Sequence, residues 1–322
     1  MRRRLLYQNE SFFGLPEPGN WDFRTIILPN SLLRGTCHIW RDNLVMYGDR
    51  GGYSDTSKFD NTIEIFNLWS ETVNTITFPT DGLRRIVYSN QIWKNNLYIP
   101  LNLTGNSTLG VYDLAGLSYR IIATAGGGAT KIWNDKLIRM GGSYNINLFD
   151  FVSESVDTFM ASPYTLASSL ASQIWNDKLY IPNGNGSDIQ IFDLNSKILR
   201  SVPLQNNMMR DTSQIWNNRL YMPRRGGVQL EIFNLGTETP YQTINLLASR
   251  LRYTSQVWND KLIIPESSGT ILEIFDMNAG TTREVTLPIN TVRLTSIVGT
   301  NNVLYLPEWN GDRLLLVNLT RI

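Results

Sequence analysis

One short pattern returns at nearly constant intervals along this chain. Four copies read glutamine, an aliphatic residue, tryptophan, a polar turn and an apolar segment ending in proline; they begin at Gln91, Gln173, Gln214 and Gln256. Looser copies surround Trp40 and Trp133, and a seventh has Gly299 where the tryptophan is expected. The six tryptophans are 53, 40, 42, 41 and 42 residues apart, and Gly299 follows 41 residues later. A period of roughly 42 residues is typical of proteins built from repeated small sheets.

Each repeat predicts four short strands. In the fourth repeat the strands are residues 172–175, 178–181, 189–194 and 197–203. Asn176 and Asp177 form the first turn, a composition that suits a two-residue hairpin. Pro182 is expected to end the second strand, because proline cannot donate to a ladder. No segment shows a helical apolar period. The sequence therefore predicts an all-β, seven-bladed β-propeller with four antiparallel strands in each blade.

The two ends of the chain explain how the ring closes. The seventh repeat supplies only three strands before Ile322, and residues 24–29 resemble the fourth strands at 73–79 and 283–288. We therefore expect the N-terminal strand to complete the seventh blade, which removes an exposed sheet edge. The predicted organisation is an N-terminal arm, residues 1–20, followed by one propeller domain, residues 21–322.

Charge and composition exclude several classes of function. Lys and Arg number 29 against 28 Asp and Glu, giving a net charge of +1, whereas nucleic-acid-binding domains are usually basic. No apolar run approaches the ~18 residues of a membrane span, and no signal-peptide stretch is visible. We expect a soluble chain, in a virion or the cytoplasm, with neither a nucleic-acid partner nor membrane insertion. A single cysteine and a single histidine cannot build a disulfide or a Cys/His metal site, so no metal or cofactor is expected.

Nucleophilic catalysis would depend on Cys37 and His38 alone. Other blades have serine or alanine, then glutamine, at these two positions, which indicates repeat variation rather than a catalytic pair. Carboxylates on loops leave acid–base chemistry open; they are Asp49, Asp55, Glu266, Glu308 and Asp312. We expect no catalytic residues and no enzyme activity.

The repeated tryptophan and glutamine have a structural interpretation. Tryptophan is expected to pack between blades, where it buries a large aromatic area, and glutamine to satisfy backbone groups near the axis. The alternative is that the tryptophans are stacking platforms of a multivalent lectin. Their place beside a tight turn favours packing.

The turn, the Leu-Tyr-Ile strand and the Ile-Phe-Asp-Leu strand resemble kelch-type β-propeller repeats. The third blade is most similar, with Lys136 to Gly142 carrying a double glycine and Leu148-Phe149-Asp150 following it. Five blades instead have proline where kelch repeats have glycine, and the regular tryptophan of strand four is missing. The resemblance implies a binding or scaffold protein more often than an enzyme.

Four arginines recur six positions before the strand-one tryptophan or its Gly299 counterpart. They are Arg34, Arg210, Arg252 and Arg293, from four neighbouring blades of a closed ring. Arg224 and Arg225 lie on loops of the same sector. Because guanidinium groups favour carboxylate or phosphate partners, this sector predicts a surface for an acidic protein segment or acidic glycan.

The alternative for these arginines is structural. Blades 1, 5 and 6 carry Glu64, Glu231 and Glu273 in matching register, so Arg–Glu pairs inside each blade would consume the charge. Blade 7 has Leu315 there, which makes Arg293 the strongest candidate for a free binding arginine. Tyr53, in the long insertion of residues 48–61, and Trp309 are further loop candidates.

Three non-enzymatic functions fit this sequence, and a fourth, a hydrolase or lyase with its site on the propeller top, fits it least. The first is a non-enzymatic structural or adhesin-type component of a virion, such as a phage tail or fibre, that recognises a protein or glycan through its loops. It is motivated by 32 asparagines, only 18% charged residues and scarce Cys and His. The second is an intracellular kelch-like scaffold that binds a protein. The third is a carbohydrate-binding lectin.

Overall fold

Seven small antiparallel sheets form a ring in a computed structural model of the protein. The structure describes residues 22–49, 61–78, 84–85, 90–103, 106–123, 129–141, 145–160, 171–183, 186–207 and 209–322. The proposed N-terminal arm and Tyr53 lie outside these ranges. In the part described, no helix is long and apolar enough to cross a bilayer.

The chain begins with β1 (Phe23–Leu33), which belongs to the last blade. Blade 1 contains β2 (Thr36–Trp40), β3 (Asn43–Asp49), β4 (Asn61–Asn67) and β5 (Val73–Phe78). Blade 2 contains β6 (Arg84–Arg85), β7 (Gln91–Trp93), β8 (Asn96–Leu103), β9 (Asn106–Asp113) and β10 (Ser118–Ala123). Both β6 and β7 pair with β8, so they form two parts of one inner strand. Blade 3 contains β11 (Ala129–Trp133), β12 (Lys136–Gly141), β13 (Asn145–Asp150) and β14 (Val156–Met160).

The second half repeats the same order. Blade 4 contains β15 (Gln173–Trp175), β16 (Lys178–Pro182), β17 (Asp188–Asp193) and β18 (Leu199–Pro203). Blade 5 contains β19 (Gln214–Trp216), β20 (Arg219–Pro223), β21 (Gly227–Asn234) and β22 (Thr239–Arg250). Blade 6 contains β23 (Gln256–Trp258), β24 (Lys261–Pro265), β25 (Ser268–Asp276) and β26 (Thr281–Val292). Blade 7 contains β27 (Ile297–Val298), β28 (Val303–Pro307) and β29 (Asn310–Asn318), with β1 as its outer strand.

Ring closure by the N-terminal strand is confirmed. Strand β1 runs antiparallel to β29, with Phe23 opposite Val317 and Ile27 opposite Arg313. The order β1-β29-β28-β27 gives blade 7 four strands, like its neighbours. The seven-bladed prediction is therefore correct, and the first and last segments of the ring are held in one sheet.

Turn chemistry sets the hairpins at one end of each blade. Asn176 and Asp177 have φ values of 49° and 59°, which asparagine and aspartate tolerate and tight hairpins need. Proline ends β16, β20, β24 and β28 as expected, but Pro100 lies inside β8. Strand β7 pairs with β8 only up to Tyr98 and β6 pairs from Leu101, so neither inner strand pairs with Pro100.

The hydrophobic core lies between blades. Trp40, for example, packs on a cluster that joins Val45 and Ile63 of blade 1 to Leu97 and Tyr112 of blade 2. Four of the repeated tryptophans also form a hydrogen bond to the next blade. The indole Nε1–H donates to a side-chain oxygen in the first turn of that blade, at 2.8–3.0 Å: Trp93 to Asp135, Trp133 to Asp177, Trp216 to Asp260 and Trp258 to Asn302. The packing interpretation of the tryptophans is confirmed.

The glutamines also join neighbouring blades. The Nε2 atoms of Gln173, Gln214 and Gln256 donate to the carbonyl oxygens of Ser213, Ser255 and Ser296 in the next inner strand, at 2.6–2.8 Å. Gln91 donates to Thr130 at 3.2 Å. The prediction that glutamine satisfies backbone groups near the axis is confirmed, and these bonds leave a polar channel along it.

Candidate binding face and central channel

The recurring arginines join each blade to the one before it. Arg252 donates to the carboxylate of Glu273 in its own blade, to the carbonyl oxygen of Gly227 in the loop of blade 5, and to that of Ala248 at the end of β22. Arg34 and Arg210 repeat this arrangement, with Glu64 and Glu231 as their carboxylates at 2.7 and 2.6 Å. Both members of every pair are buried. The structural alternative of Arg–Glu bridges is therefore confirmed for blades 1, 5 and 6.

Arg293 differs from the expectation that it is a free binding group. Its side chain is 0% exposed, and the guanidinium donates to the carbonyl oxygens of Gly269 and Ile289 at 2.8 and 2.7 Å. Burial lowers its pKa to about 10. Leu315 does stand at the glutamate position, and Arg293 keeps the two backbone carbonyl bonds that the other three arginines also make. None of the four recurring arginines presents its charge at the surface, because each holds two blades together.

The remaining predicted residues lie nearer the surface. Arg225, on the loop between β20 and β21, pairs with Asp211 at 3.1 Å and lies over the ring of Tyr253, 4.4 Å from its centroid. Arg224 donates to Gln229 Oε1 at 2.7 Å. Trp309, on the corresponding loop of blade 7, is half-buried. These loops and the connections between blades share one side of the ring, which we call the loop face.

Blades 5, 6 and 7 are extended at the loop face. Their outer strands β22, β26 and β1 have 12, 12 and 11 residues. Strand β18 of blade 4 has five, and β5, β10 and β14 have five or six within the described residues. The extra residues pair with the loops of the same blades: Arg250 lies opposite Gly227, Val292 opposite Ser268, and Leu33 opposite Asn310. The result is a raised, hydrogen-bonded platform on three neighbouring blades.

Four of the large apolar side chains that are exposed among the described residues lie on or beside this platform. Met209, Leu251 and Val292 each directly precede a buried arginine, and they are 42%, 41% and 42% exposed. Leu247, on the extension of β22, is 57% exposed. Backbone bonds tie this row to the loops, since Arg225 N donates to Met209 O and Trp309 N donates to Val292 O. We call these four apolar residues the apolar arc; their burial would favour a bound partner.

The central channel opens beside the platform. It has a volume of about 500 Å³ and is lined by residues of all seven inner strands and the segments that lead into them. At the glutamine position, blade 1 has His38 and blade 3 has Lys131. Hydroxyl groups join adjacent blades above this level, as in Thr212 to Ser255 and Thr254 to Ser296, at 2.8 and 2.7 Å. Hydrogen-bonding side chains from most blades therefore line the channel, together with apolar residues such as Ala129 and Leu294.

Cys37 and His38 do not form a catalytic pair. Cys37 takes the serine position and contacts Thr295 Oγ1 at 3.3 Å, and burial raises the pKa of its thiol to about 12. The nucleophilic thiolate is thus suppressed at neutral pH. His38 Nε2 lies 3.0 Å from the carbonyl oxygen of Asn90 and 2.6 Å from its Oδ1, the same bridge that glutamine makes elsewhere. Burial lowers the pKa of His38. No three His, Cys, Asp or Glu side chains converge among the described residues.

The apolar arc was missed by the sequence reasoning, although a signal existed. An apolar residue precedes all four recurring arginines, at Leu33, Met209, Leu251 and Val292. Leu33 is buried and the other three are exposed, a difference that the residue types do not encode. The sequence also shows that Lys131 stands at the position where blades 2, 4, 5 and 6 have glutamine.

Comparisons with known proteins agree on the fold. The chain is similar to the structure described as YCF48 bound to D1 peptide, with a TM-score of 0.71 and 12% identity over 94% of this chain and 99% of the other. It is similar to virginiamycin B lyase from Staphylococcus aureus, with a TM-score of 0.73 and 10% identity over 92% and 99% of the two chains. A chain of the mitotic checkpoint complex gives a TM-score of 0.66 and 16% identity over 99% and 95%.

At these identities the similarity concerns the fold alone. No family model matches the sequence, and no curated protein matches it. Membership of the kelch family accordingly stays a prediction.

Proposed function

We propose that the chain is a non-enzymatic binding module that captures a protein segment on the loop face of blades 5, 6 and 7. The apolar arc carries this proposal. Four aliphatic or thioether side chains, each 41–57% exposed, lie on one sector of the ring. Surface patches of this kind mark interaction sites, because covering them removes apolar area from water.

The surroundings of the arc suit an extended segment. Tyr253 and Trp309 supply aromatic surface beside it, and Arg225 and Asp211 offer hydrogen-bonding groups at the channel mouth. Polar groups around an apolar centre are the usual arrangement of a protein interface. The platform is built from paired strands, so little ordering is needed on binding. One similar propeller is described with a bound peptide, which is consistent with this use of the fold.

A non-enzymatic role is supported by the state of the two nucleophile candidates. The thiol of Cys37 is buried against Thr295, and His38 is bonded to Asn90 rather than to a reactive hydroxyl or thiol. Catalysis by a Cys–His pair needs a thiolate and a base in contact with each other. Neither condition is met by this pair.

The test uses segments selected from a displayed random peptide library against the wild-type protein. Leu251→Asp places a charge in the centre of the arc and should weaken binding at least about tenfold, since a buried unpaired carboxylate costs more than ~1.4 kcal/mol. Val152→Asp is the matched control, because Val152 is 78% exposed on the opposite face of blade 3. Unchanged binding in L251D, or equal losses in both variants, would contradict the proposal.

We further propose that this module is a structural or adhesin-type component of a virion, such as a phage tail or fibre protein. The support is compositional: 32 asparagines, 18% charged residues and few Cys or His on a wholly β scaffold. Capsid and tail genes beside its gene would support this role, whereas a neighbourhood of cellular signalling genes would favour the intracellular scaffold. A glycan array tests the lectin alternative, in which loop aromatics such as Trp309 and Tyr53 would stack on sugars.

A further inference from the structure

Lys131 occupies a channel-lining position that is glutamine in blades 2, 4, 5 and 6 and histidine in blade 1. The equivalent residues in the two adjacent blades are Gln91 and Gln173, whose side-chain amides donate hydrogen bonds to the next blade. No residue that the structure describes forms a hydrogen bond or ion pair with Lys131 Nζ. The side chain is only partly exposed. A buried ammonium without a counter-ion is costly, so a lysine in this position is unfavourable for the fold alone.

The charge around Lys131 is unbalanced. Asp211 is the sole carboxylate among the described residues that line the channel, and it pairs with Arg225 at the mouth. His38 lies close enough for the positive charge of Lys131 to disfavour its protonation. Among the described residues that line this cavity of about 500 Å³, one positive charge therefore has no matching carboxylate.

The rest of the lining suits a small anion. The four channel glutamines each donate one N–H to the next blade, as described above, and an amide nitrogen carries a second hydrogen. A lysine with several neutral donors matches the geometry and charge of a single carboxylate better than a multiply charged phosphate.

We propose that Lys131 is the anchor of a carboxylate-binding site in the central channel. The carboxylate is either a free small organic acid or an acidic group carried by a segment that enters from the loop face. Burial lowers the pKa of Lys131 to about 8, which still leaves it mostly protonated at pH 7. The site is separate from the apolar arc, and either proposal can fail alone.

Lys131→Gln is a well-matched variant, because glutamine occupies this position in blades 2, 4, 5 and 6. Sodium acetate is the probe, replacing sodium chloride at constant ionic strength and pH 7. We expect a saturating rise in the Tm of the wild type of roughly 2 °C, because acetate binds the folded state alone. K131Q should show no such rise. Equal shifts in the two proteins, or no shift in the wild type, would overturn the proposal.

A second arm separates the two sources of the carboxylate. Segments selected for binding to the loop face are compared with variants in which each acidic residue is changed to its amide and the C-terminus is amidated. If K131Q weakens the acidic segments about tenfold and the amide forms not at all, the carboxylate comes from a bound segment. If acetate raises the Tm of the wild type but not of K131Q, and K131Q binds the acidic segments as tightly as the wild type does, the carboxylate comes from a free small acid. The L251D variant should retain the acetate shift.

Discussion

Arg252 and Glu273 form an ion pair almost completely shielded from solvent, with 2.8 Å between Nη2 of the arginine and Oε2 of the glutamate. The same arginine donates to carbonyl oxygens of blade 5, so it holds two blades together. Replacing Arg252 by Met leaves Glu273 buried without its cation. The free energy of unfolding should fall by about 3–5 kcal/mol, measured by urea denaturation.

Blade 7 supplies the comparison for this pair. There Arg293 keeps the carbonyl bonds while Leu315 replaces the glutamate. Glu273→Leu reproduces that combination in blade 6, so it should cost less stability than R252M. An R252M protein that unfolds at the wild-type urea concentration would show that the ion pair does not stabilise the junction.

Ring closure predicts the effect of removing β1. A chain that begins at Ser31 loses most of this strand and the Asn30 carbonyl to which Arg34 donates. The freed edge of β29 should lead to a strongly lowered Tm or to aggregation, followed by thermal melting and size-exclusion chromatography. Melting at the wild-type temperature would mean that the N-terminal strand does not close the ring.

Lys131 should make stability depend on pH in the alkaline range. Burial lowers its pKa from 10.5 to about 8, so between these values the unfolded chain binds more protons than the folded one. The stability penalty is therefore complete below pH 8 and fades as the pH rises towards 10.5. K131Q should be more stable than the wild type by about 1–3 kcal/mol at pH 7, and the difference should disappear near pH 10.5.

Comparing the wild type with K131Q isolates the contribution of the Lys131 side chain to the pH dependence of stability. The other titratable side chains lining the channel are Cys37, His38, Asp211, Arg225 and Tyr253, and both proteins contain them. A gap between the two unfolding curves that stays constant from pH 7 to 10.5 would show that Lys131 is fully solvated.

His38 should make the stability of the protein depend on pH in the acidic range. Its pKa is lowered by burial, so the unfolded chain takes up a proton that the folded protein resists as the pH falls through 6.5. Wild-type stability should decline there, and His38→Gln, which restores the repeat residue, should remove that part of the decline. Identical acid unfolding profiles for the wild type and H38Q would contradict this.

The sequence allowed much of the fold to be predicted because each blade repeats its own local signals. Turn residues such as Asn176-Asp177, the prolines after strand two and the Arg–Glu register all have direct structural causes. The burial of Arg293 could not be predicted in the same way, since its bonds to backbone carbonyls leave no trace in the residue types. The exposure of Met209 and Leu251 could not be predicted either, since Leu33, the apolar residue at the same position before Arg34, is buried.

Methyl NMR of the protein with a selected segment tests the central proposal most directly. In a sample labelled at Met, Leu and Val methyl groups, the segment should shift the signals of Met209, Leu247, Leu251 and Val292. The signals of Val152 and Leu117, which are 78% and 57% exposed elsewhere on the ring, should stay in place. Shifts confined to Val152 or Leu117, with the four signals of the apolar arc unchanged, would contradict the account.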